Sequence, residues 1–175
     1  MNYATIKWTD IANGEGVRVS LFVSGCTHHC KNCFNQIAWD FAYGELFDDT
    51  VAEKILTALE APFIDGLSLL GGEPLEPQNQ AALLPFVREV KQRFPNKTIW
   101  CYTGYVLDEK KGELRARRKN TPFTKELISY IDVLVDGPYI ERQKDIRLKF
   151  RGSANQRVID VKRTLDKGAC VLYLE

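Results

Sequence analysis

Residues 25–35 read Gly25-Cys26-Thr27-His28-His29-Cys30-Lys31-Asn32-Cys33-Phe34-Asn35. This stretch holds three of the five cysteines of the chain, separated by three residues and then by two. It follows an apolar run over residues 17–23, which is typical of a buried strand. The pattern therefore predicts a strand that ends in a loop carrying metal ligands.

Three neighbouring thiolates suit two kinds of metal centre. Zinc in a structural site takes four ligands, which the three cysteines could complete with His28 or His29. A cubane iron-sulfur cluster is also held by thiolates, usually four, so that three cysteines would leave one iron open to a substrate or cofactor. The spacing favours the cluster. We then expect both histidines to be loop residues that face solvent or a partner.

The other two cysteines lie far along the chain in apolar surroundings. Cys101 is in an Ile-Trp-Cys-Tyr run and Cys170 in an Ala-Cys-Val-Leu run. Cysteine in such a setting behaves as a small buried hydrophobe. We therefore predict that neither is a metal ligand.

The composition is that of an ordinary globular protein. The chain has 175 residues, of which 45% are hydrophobic and 27% charged, with a formal net charge of +1. This charge gives no support for a nucleic-acid or membrane partner, and no apolar run is long enough to span a bilayer. The N-terminus lacks the apolar core of a signal peptide, so we expect a cytoplasmic protein. An odd cysteine count then favours metal or redox use over disulfides.

Strand-like and helix-like segments alternate along the chain. Helices are predicted at about residues 50–60, 78–94 and 122–130. Strands are predicted at about residues 17–24, 66–70, 98–103, 131–136 and 158–161. Such alternation indicates βαβ units and a parallel sheet, and the units are too few for a closed eight-stranded barrel. We predict one α/β domain over residues 1–175, an open partial (βα) barrel of parallel strands.

Three segments depart from this alternation. Residues 108–120 are rich in Lys and Arg and nearly devoid of apolar side chains, which indicates a solvated insertion or, alternatively, a docking patch for a partner. Residues 163–175 form a C-terminal extension. The polar cluster before the last strand either contributes to the site or closes the barrel edge by hydrogen bonding; its members are Ser153, Asn155, Gln156 and Arg157.

Glycine and polar motifs follow several predicted strands. These motifs are Gly71-Gly72-Glu73, Tyr102-Thr103-Gly104 and Asp136-Gly137. In a barrel of parallel strands the carboxyl ends share one face, and chemistry gathers there. Because the cysteine loop also follows a strand, we expect all of these motifs to converge, which favours the iron-sulfur interpretation.

The spacing of the cysteines resembles that of the radical S-adenosylmethionine enzymes. Over residues 3–161 the chain most resembles one branch of that superfamily, the activating enzymes of anaerobic (class III) ribonucleoside-triphosphate reductase. The motifs that carry this resemblance are Ser24-Gly25-Cys26, Cys33-Phe34-Asn35, Gly71-Gly72-Glu73-Pro74-Leu75, Tyr102-Thr103-Gly104-Tyr105, Val135-Asp136-Gly137, and Arg151-Gly152-Ser153 with Asn155-Gln156-Arg157.

The resemblance implies a [4Fe-4S] cluster held by Cys26, Cys30 and Cys33, with S-adenosyl-L-methionine chelated at the open iron. The reduced cluster would cleave this cofactor to a 5′-deoxyadenosyl radical, which takes a hydrogen atom from a glycine near the C-terminus of the reductase. No catalytic side chain beyond cluster and cofactor is implied. The residues implied to bind the cofactor are Asn32, Cys33, Phe34, Gly71, Gly72, Glu73, Thr103 and Asp136.

Within that set, the resemblance gives Glu73 a specific role, which is to receive the ammonium group of the cofactor. The implied partners are the anaerobic ribonucleoside-triphosphate reductase and a reduced flavodoxin or ferredoxin as electron donor, and a homo-oligomer is compatible with the sequence. The chain departs from the branch at Phe34, where tyrosine is common, at Glu73, where aspartate is frequent, and at Pro138, where a lysine often stands.

Three other functions stay open at the level of sequence. The chain could activate a different glycyl-radical enzyme, or act on a small molecule as other short radical enzymes do. A zinc-stabilised interaction domain is the non-enzymatic alternative.

Overall fold

A computed structural model describes residues 1–174 as an eight-stranded mixed sheet with a separate two-stranded hairpin. The strands are β1 (Asn2–Asp10), β2 (Arg18–Val23), β3 (Glu45–Leu46), β4 (Gly66–Gly71), β5 (Thr98–Tyr102), β6 (Leu107–Asp108), β7 (Glu113–Leu114), β8 (Val133–Asp136), β9 (Arg157–Asp160) and β10 (Leu172–Leu174). The α-helices are α1 (Asp49–Leu59), α2 (Pro77–Arg93), α3 (Thr124–Ser129) and α4 (Val161–Lys167). Short 3-10 helices span Gln36–Trp39, Arg117–Lys119 and Glu141–Gln143.

Four strands at the centre of the sheet are parallel. The sheet order is β10-β9-β8-β5-β4-β2-β1-β3, in which β2, β4, β5 and β8 pair in parallel. The helices α1, α2 and α3 lie in turn between these strands in the chain, as parallel connections require. The predicted α/β class is confirmed.

The outer strands are antiparallel, so the expectation of an all-parallel sheet is wrong. β1 runs antiparallel to β2, β9 to β8 and β10 to β9. No α-helix lies between β8 and β9, and a chain that returns without a crossover pairs antiparallel. The sheet ends at β10 on one side and at β3 on the other, so these strands do not form a closed eight-stranded barrel.

Local capping chemistry sets the ends of the main helices. Asp48 caps α1 by accepting a 3.0 Å hydrogen bond from the N–H of Val51, so the helix begins slightly before the predicted Thr50. Pro77 occupies the first turn of α2, where a backbone N–H is not needed. The buried apolar residues of these two helices include Ile55, Leu56, Leu59, Leu83, Val87 and Val90.

In residues 1–174, no helix combines the length and the apolarity that a membrane span requires.

A buried arginine joins the amino ends of the central strands. Arg18 is only 1% exposed. Its guanidinium donates to the carbonyl oxygens of Leu67 and Thr98 at 2.8 and 2.7 Å. It also donates to the hydroxyl of Ser68 at 2.7 Å and lies 5.7 Å from the ring centroid of Trp100. Burial lowers the pKa of Arg18 to about 10, so the side chain stays charged at neutral pH.

The C-terminal extension belongs to the sheet. Its last strand, β10, pairs with β9 at the sheet edge. The hydroxyl of Tyr173 donates to Glu15 Oε2 at 2.6 Å, and its ring lies edge-on to Trp100 with the centroids 5.5 Å apart. The extension therefore covers an edge that would otherwise expose backbone groups of β9.

We predict that Arg18→Leu lowers the free energy of unfolding by about 3 kcal/mol, because the carbonyl oxygens of Leu67 and Thr98 lose their buried donor. Chemical denaturation monitored by circular dichroism measures this difference. Lys162→Leu, which removes an exposed cation from α4, is the matched control and should change stability by less than about 0.5 kcal/mol. Equal stability of the two variants would contradict the role given to Arg18.

Candidate metal and cofactor site

A cavity of about 600 Å³ opens beyond the carboxyl ends of β2, β4, β5 and β8. A volume of this size is typical of sites that bind small molecules. The residues of the predicted site that line it are Cys26, Cys30, Asn32, Cys33, Phe34, Gly71, Gly72, Glu73 and Thr103. Motifs that are far apart in the sequence thus share one cavity.

Three free thiols line this cavity, those of Cys26, Cys30 and Cys33. Burial raises the pKa of Cys26 to about 12, and burial also raises the pKa of Cys30. A metal that binds here must therefore displace protons from neutral thiols. Within residues 1–174, no three His, Cys, Asp or Glu side chains surround one point as the ligands of a single metal ion would.

The loop that carries these cysteines has an irregular backbone. The N–H of Cys33 donates to the carbonyl oxygen of Cys30 at 3.2 Å, which forms a tight turn. His29 and Asn32 adopt left-handed conformations with φ of 48° and 58°. Asparagine tolerates this region better than most residues because its side chain can hydrogen-bond locally. The loop needs contacts from elsewhere in the protein, since it contains no regular structure of its own.

Backbone hydrogen bonds join this loop to the end of β4. The N–H of Gly72 donates to the carbonyl oxygen of Val23 at 2.7 Å, and that of Glu73 to Gly25 at 2.9 Å. A Cβ atom on Gly72 would lie 2.7 Å from the carbonyl oxygen of Gly25 and 2.9 Å from that of Ala38. Gly72 is therefore required by the packing of the protein's own backbone, a role that the sequence motif did not indicate.

The carboxylate of Glu73 is buried and makes four polar contacts. Oε1 accepts hydrogen bonds from the N–H of Leu75 at 2.9 Å and from the hydroxyl of Thr103 at 2.8 Å. Oε2 accepts from the N–H of Gly104 at 2.8 Å and lies 2.7 Å from His28 Nε2. Because these contacts use the acceptor positions of the carboxylate, an ammonium group would have to replace one of them.

His28 is not the solvent- or partner-facing loop residue that we expected. Its ring contacts Glu73 and lies 4.3 Å from the ring of Tyr105, measured between centroids. A Cβ atom on Gly104 would lie only 2.7 Å from His28 Nε2, so the glycine leaves room for the imidazole. The other histidine, His29, is exposed as predicted.

Most of the Lys and Arg side chains of the basic segment, residues 108–120, are exposed, but the segment is also folded against the protein. It includes the hairpin strand β7 and the 3-10 helix Arg117–Lys119, and Leu114 is buried. At the end of the segment, Lys119 Nζ donates to the hydroxyl of Thr27 at 2.8 Å and to Glu76 Oε2 at 2.9 Å. The segment therefore reaches the cysteine loop. No local pattern in the sequence points to this contact, because the partners are 92 and 43 residues away.

Asp136 does not line the cavity, in contrast to the role that the resemblance implied. Its carboxylate pairs with the guanidinium of Arg157, whose Nε lies 2.8 Å from Asp136 Oδ1. Oδ2 accepts a 2.8 Å hydrogen bond from the N–H of Leu107. The side chain is completely buried. Asp136 thus joins the end of β8 to β9 and to the hairpin, while its neighbour Gly137 reaches the cavity wall.

The polar cluster that precedes β9 joins two loops. Asn155 Nδ2 donates to the carbonyl oxygen of Pro138 at 2.7 Å, and Gln156 Nε2 to that of Gly137 at 3.1 Å. The buried hydroxyl of Ser153 accepts from the N–H of Ile140 at 3.2 Å. The cluster therefore fixes one cavity wall, and Gln156 itself lines the cavity.

Other cavity residues have no motif of their own. Tyr139, Lys144 and Phe150 lie in the long connection between β8 and β9. The only feature of the sequence that marks this connection is its high content of basic and aromatic residues. Tyr102 also lines the cavity, and its hydroxyl is buried without a hydrogen-bond partner among the described residues.

Comparison with known proteins assigns the chain to a family. Residues 12–159 match the family described as 4Fe-4S single cluster domain. A relative from Haemophilus influenzae is 49% identical over 89% of this chain and 96% of its own length. Relatives from Pasteurella multocida and Vibrio cholerae are 46% and 44% identical over 89% of this chain and 95% and 96% of their own lengths. All three are named anaerobic ribonucleoside-triphosphate reductase-activating protein.

We predict that Gly104→Ala lowers the free energy of unfolding by about 2 kcal/mol, because the added methyl group displaces His28 from Glu73. The same substitution in a His28→Ala background should cost less than about 1 kcal/mol, since the ring is then absent. Denaturation of the four proteins of this cycle measures both values. The same cost in both backgrounds would show that His28 does not require the glycine.

Proposed function

Because the chain belongs to the family of anaerobic ribonucleoside-triphosphate reductase-activating proteins, we propose that it generates a glycyl radical on such a reductase. It is an activating protein with a 4Fe-4S cluster domain. The substrate glycine lies near the C-terminus of the reductase, as the sequence resemblance implies. A reduced flavodoxin or ferredoxin supplies the electron.

The cluster is held by the thiolates of Cys26, Cys30 and Cys33. The observation that carries this assignment is that these three soft ligands line a single cavity with the glycine-rich ends of β4 and β5. In a cubane cluster each thiolate binds a different iron, so the sulfur atoms need not converge on one point. Cys101 is completely buried in the apolar core, as predicted, which supports its exclusion from the proposed ligand set.

A reduced cluster held by Cys26, Cys30 and Cys33 would supply one electron for the cleavage of S-adenosyl-L-methionine into methionine and a 5′-deoxyadenosyl radical. That radical would take a hydrogen atom from the glycine Cα and leave 5′-deoxyadenosine and the glycyl radical. The protein's part in this chemistry is to bind, to orient and to exclude water. The cavity of about 600 Å³ is large enough to hold S-adenosyl-L-methionine.

The electrostatics of the cavity suit a cationic cofactor. Glu73 and Glu76 both contribute to the raised pKa of Cys26, after the larger effect of burial, so their carboxylates create a negative potential at the thiol. The same potential attracts the sulfonium and the ammonium group of the cofactor. We propose that the ammonium group replaces His28 as the partner of Glu73, because the imidazole belongs to a loop, whereas Thr103 and Gly104 follow directly on β5.

The remaining cofactor contacts follow from the cavity lining. Gly71 and Gly72 present backbone at the end of β4, and Thr103 presents a hydroxyl at the end of β5. Asn32 and Phe34 line the wall on the cysteine loop, and Phe34 is 89% exposed. An exposed aromatic side chain in this position is available to contact the partner's peptide segment.

We predict that replacing any one of Cys26, Cys30 and Cys33 by Ala abolishes cluster retention. Iron and acid-labile sulfide, measured after anaerobic reconstitution and desalting, should be about four each per chain in the wild type and near zero in these variants. Cys101→Ala is the matched control and should keep the cluster. Full iron content in a loop variant, or stoichiometric zinc without iron in the wild type, would contradict the assignment.

A second experiment tests the reaction itself. The reduced holoprotein is incubated with S-adenosyl-L-methionine and an anaerobic ribonucleoside-triphosphate reductase, and electron paramagnetic resonance is recorded. We expect the doublet signal of a glycyl radical, and we expect none when the cofactor is omitted or when Cys30→Ala is used. A doublet seen only with a different glycyl-radical enzyme would assign the protein to that partner instead.

A further inference from the structure

The start of the cysteine loop is held by a polar network that is centred on the buried Glu76 and involves none of the metal ligands. Glu76 follows the Gly71-Gly72-Glu73 motif by three residues, just before α2. Its Oε1 accepts hydrogen bonds from the N–H of Thr27 at 2.9 Å and from the Thr27 hydroxyl at 2.5 Å. The hydroxyl of Tyr105 donates to the same oxygen at 2.9 Å. Two contacts to one residue fix both the backbone and the side chain of Thr27.

Lys119 completes this network from the basic segment. Its Nζ donates to Glu76 Oε2 at 2.9 Å and to the Thr27 hydroxyl at 2.8 Å. It also lies 5.8 Å from the ring centroid of Tyr105. The lysine therefore contacts all three members of the network and bridges the basic segment to the loop.

The negative charge of this network is removed from water, and the positive charge is partly exposed. The side chain of Glu76 is 2% exposed and that of Lys119 is 29% exposed. Burial alone would raise the pKa of Glu76, but the donors from Lys119, Thr27 and Tyr105 outweigh it and lower that pKa. The carboxylate is consequently ionised at neutral pH, and removal of the lysine charge would leave it without its cationic partner.

Contacts from α2 and from within the basic segment hold the backbone around Lys119 in place. The carbonyl oxygen of Lys119 accepts a 2.9 Å hydrogen bond from Gln80 Nε2 on α2. The next residue, Asn120, exchanges two 2.8 Å hydrogen bonds with the backbone of Leu114. Contacts to α2 and to the hairpin strand β7 thus set the position of the Lys119 backbone, from which the ammonium group reaches Glu76.

Thr27 is directly bonded to Cys26, so the contacts that hold Thr27 also restrict the backbone of Cys26, from which the thiol projects. On its other side, the N–H of Cys26 donates to the carbonyl oxygen of Trp39 at 3.2 Å. Cys26 is the most deeply buried of the three thiols of the loop. Loss of the Thr27 contacts would leave one side of this residue without support.

We propose that Lys119 is a positioning residue for the iron-sulfur cluster, acting through Glu76 and Thr27 on Cys26. This inference rests on the proposed function. Partners outside the ligand set orient the ligands of metal sites, and their loss typically weakens metal binding by about 10- to 100-fold. The basic segment then serves the metal centre of its own chain.

The test compares four holoproteins reconstituted under anaerobic conditions: the wild type, Lys119→Met, Lys119→Arg and Lys110→Met. Methionine keeps the aliphatic stem beside Tyr105 but removes the charge and the hydrogen-bond donor, whereas arginine keeps both. Lys110 is an exposed lysine of the same segment that makes no ion pair among the described residues, so it is the matched control. The rate of iron release to a chelator is measured, together with the melting temperature of each apoprotein.

We expect Lys119→Met to release iron about tenfold faster than the wild type. Lys119→Arg and Lys110→Met should release iron within about threefold of the wild-type rate, and their apoproteins should melt within about 3 °C of the wild type. The Lys119→Met apoprotein should melt at a lower temperature, because Glu76 is left buried without its cationic partner, and arginine should rescue this loss as well. The spectrum of the reduced cluster in electron paramagnetic resonance should change in Lys119→Met alone, because only there does Cys26 lose its support.

Three results would overturn the inference. First, Lys119→Met could release iron at the same rate as Lys110→Met. Second, Lys119→Met could release iron faster but also lose much of its apoprotein stability, and Lys119→Arg could fail to restore that stability. The second result would indicate a general structural role for Lys119. Alternatively, the wild type could bind no four-iron cluster, which would contradict the proposed function as well as this inference. Iron analysis of the wild type separates this last result from the other two.

Discussion

Two buried carboxylates beside the end of β4 hold the cysteine loop in place. Glu73 and Glu76 contact His28 and Thr27, the two residues that follow Cys26. A buried carboxylate must be satisfied by donors, because leaving it without partners costs more free energy than any single hydrogen bond returns. The loop residues therefore have fixed positions even though the loop has no regular structure.

The sheet explains why these groups meet. The central strands β2, β4, β5 and β8 run parallel, so their carboxyl ends and the residues that follow them share one edge. Arg18, at the amino end of β2, joins this strand to the amino ends of β4 and β5. The antiparallel strands β1, β9 and β10 extend the sheet on both sides and leave the central edge free for the cavity.

The sequence predicted those features that depend on local patterns. The cysteine spacing, the apolar strands and the glycine motifs are each readable within ten residues or fewer, and the structure brings nine of the predicted site residues to one cavity. The direction of β9 and the placement of β1 and β10 outside the parallel strands depend on pairing between distant segments, which no local pattern encodes. For the same reason the sequence does not indicate that Arg157 pairs with the carboxylate of Asp136.

Charged residues were the hardest to interpret, because a sequence shows their number and not their partners. The basic segment has the composition of a solvated insertion, yet Lys119 lies against a carboxylate that is nearly inaccessible to water. Such a contact stabilises the protein only if the donor is held in the correct place, since a misplaced lysine would leave Glu76 buried and unpaired. The contacts of Gln80 and Asn120 meet this requirement. The strained conformations of His29 and Asn32 are tolerated for a similar reason, since the loop around them is held at both ends by contacts that do not involve the metal.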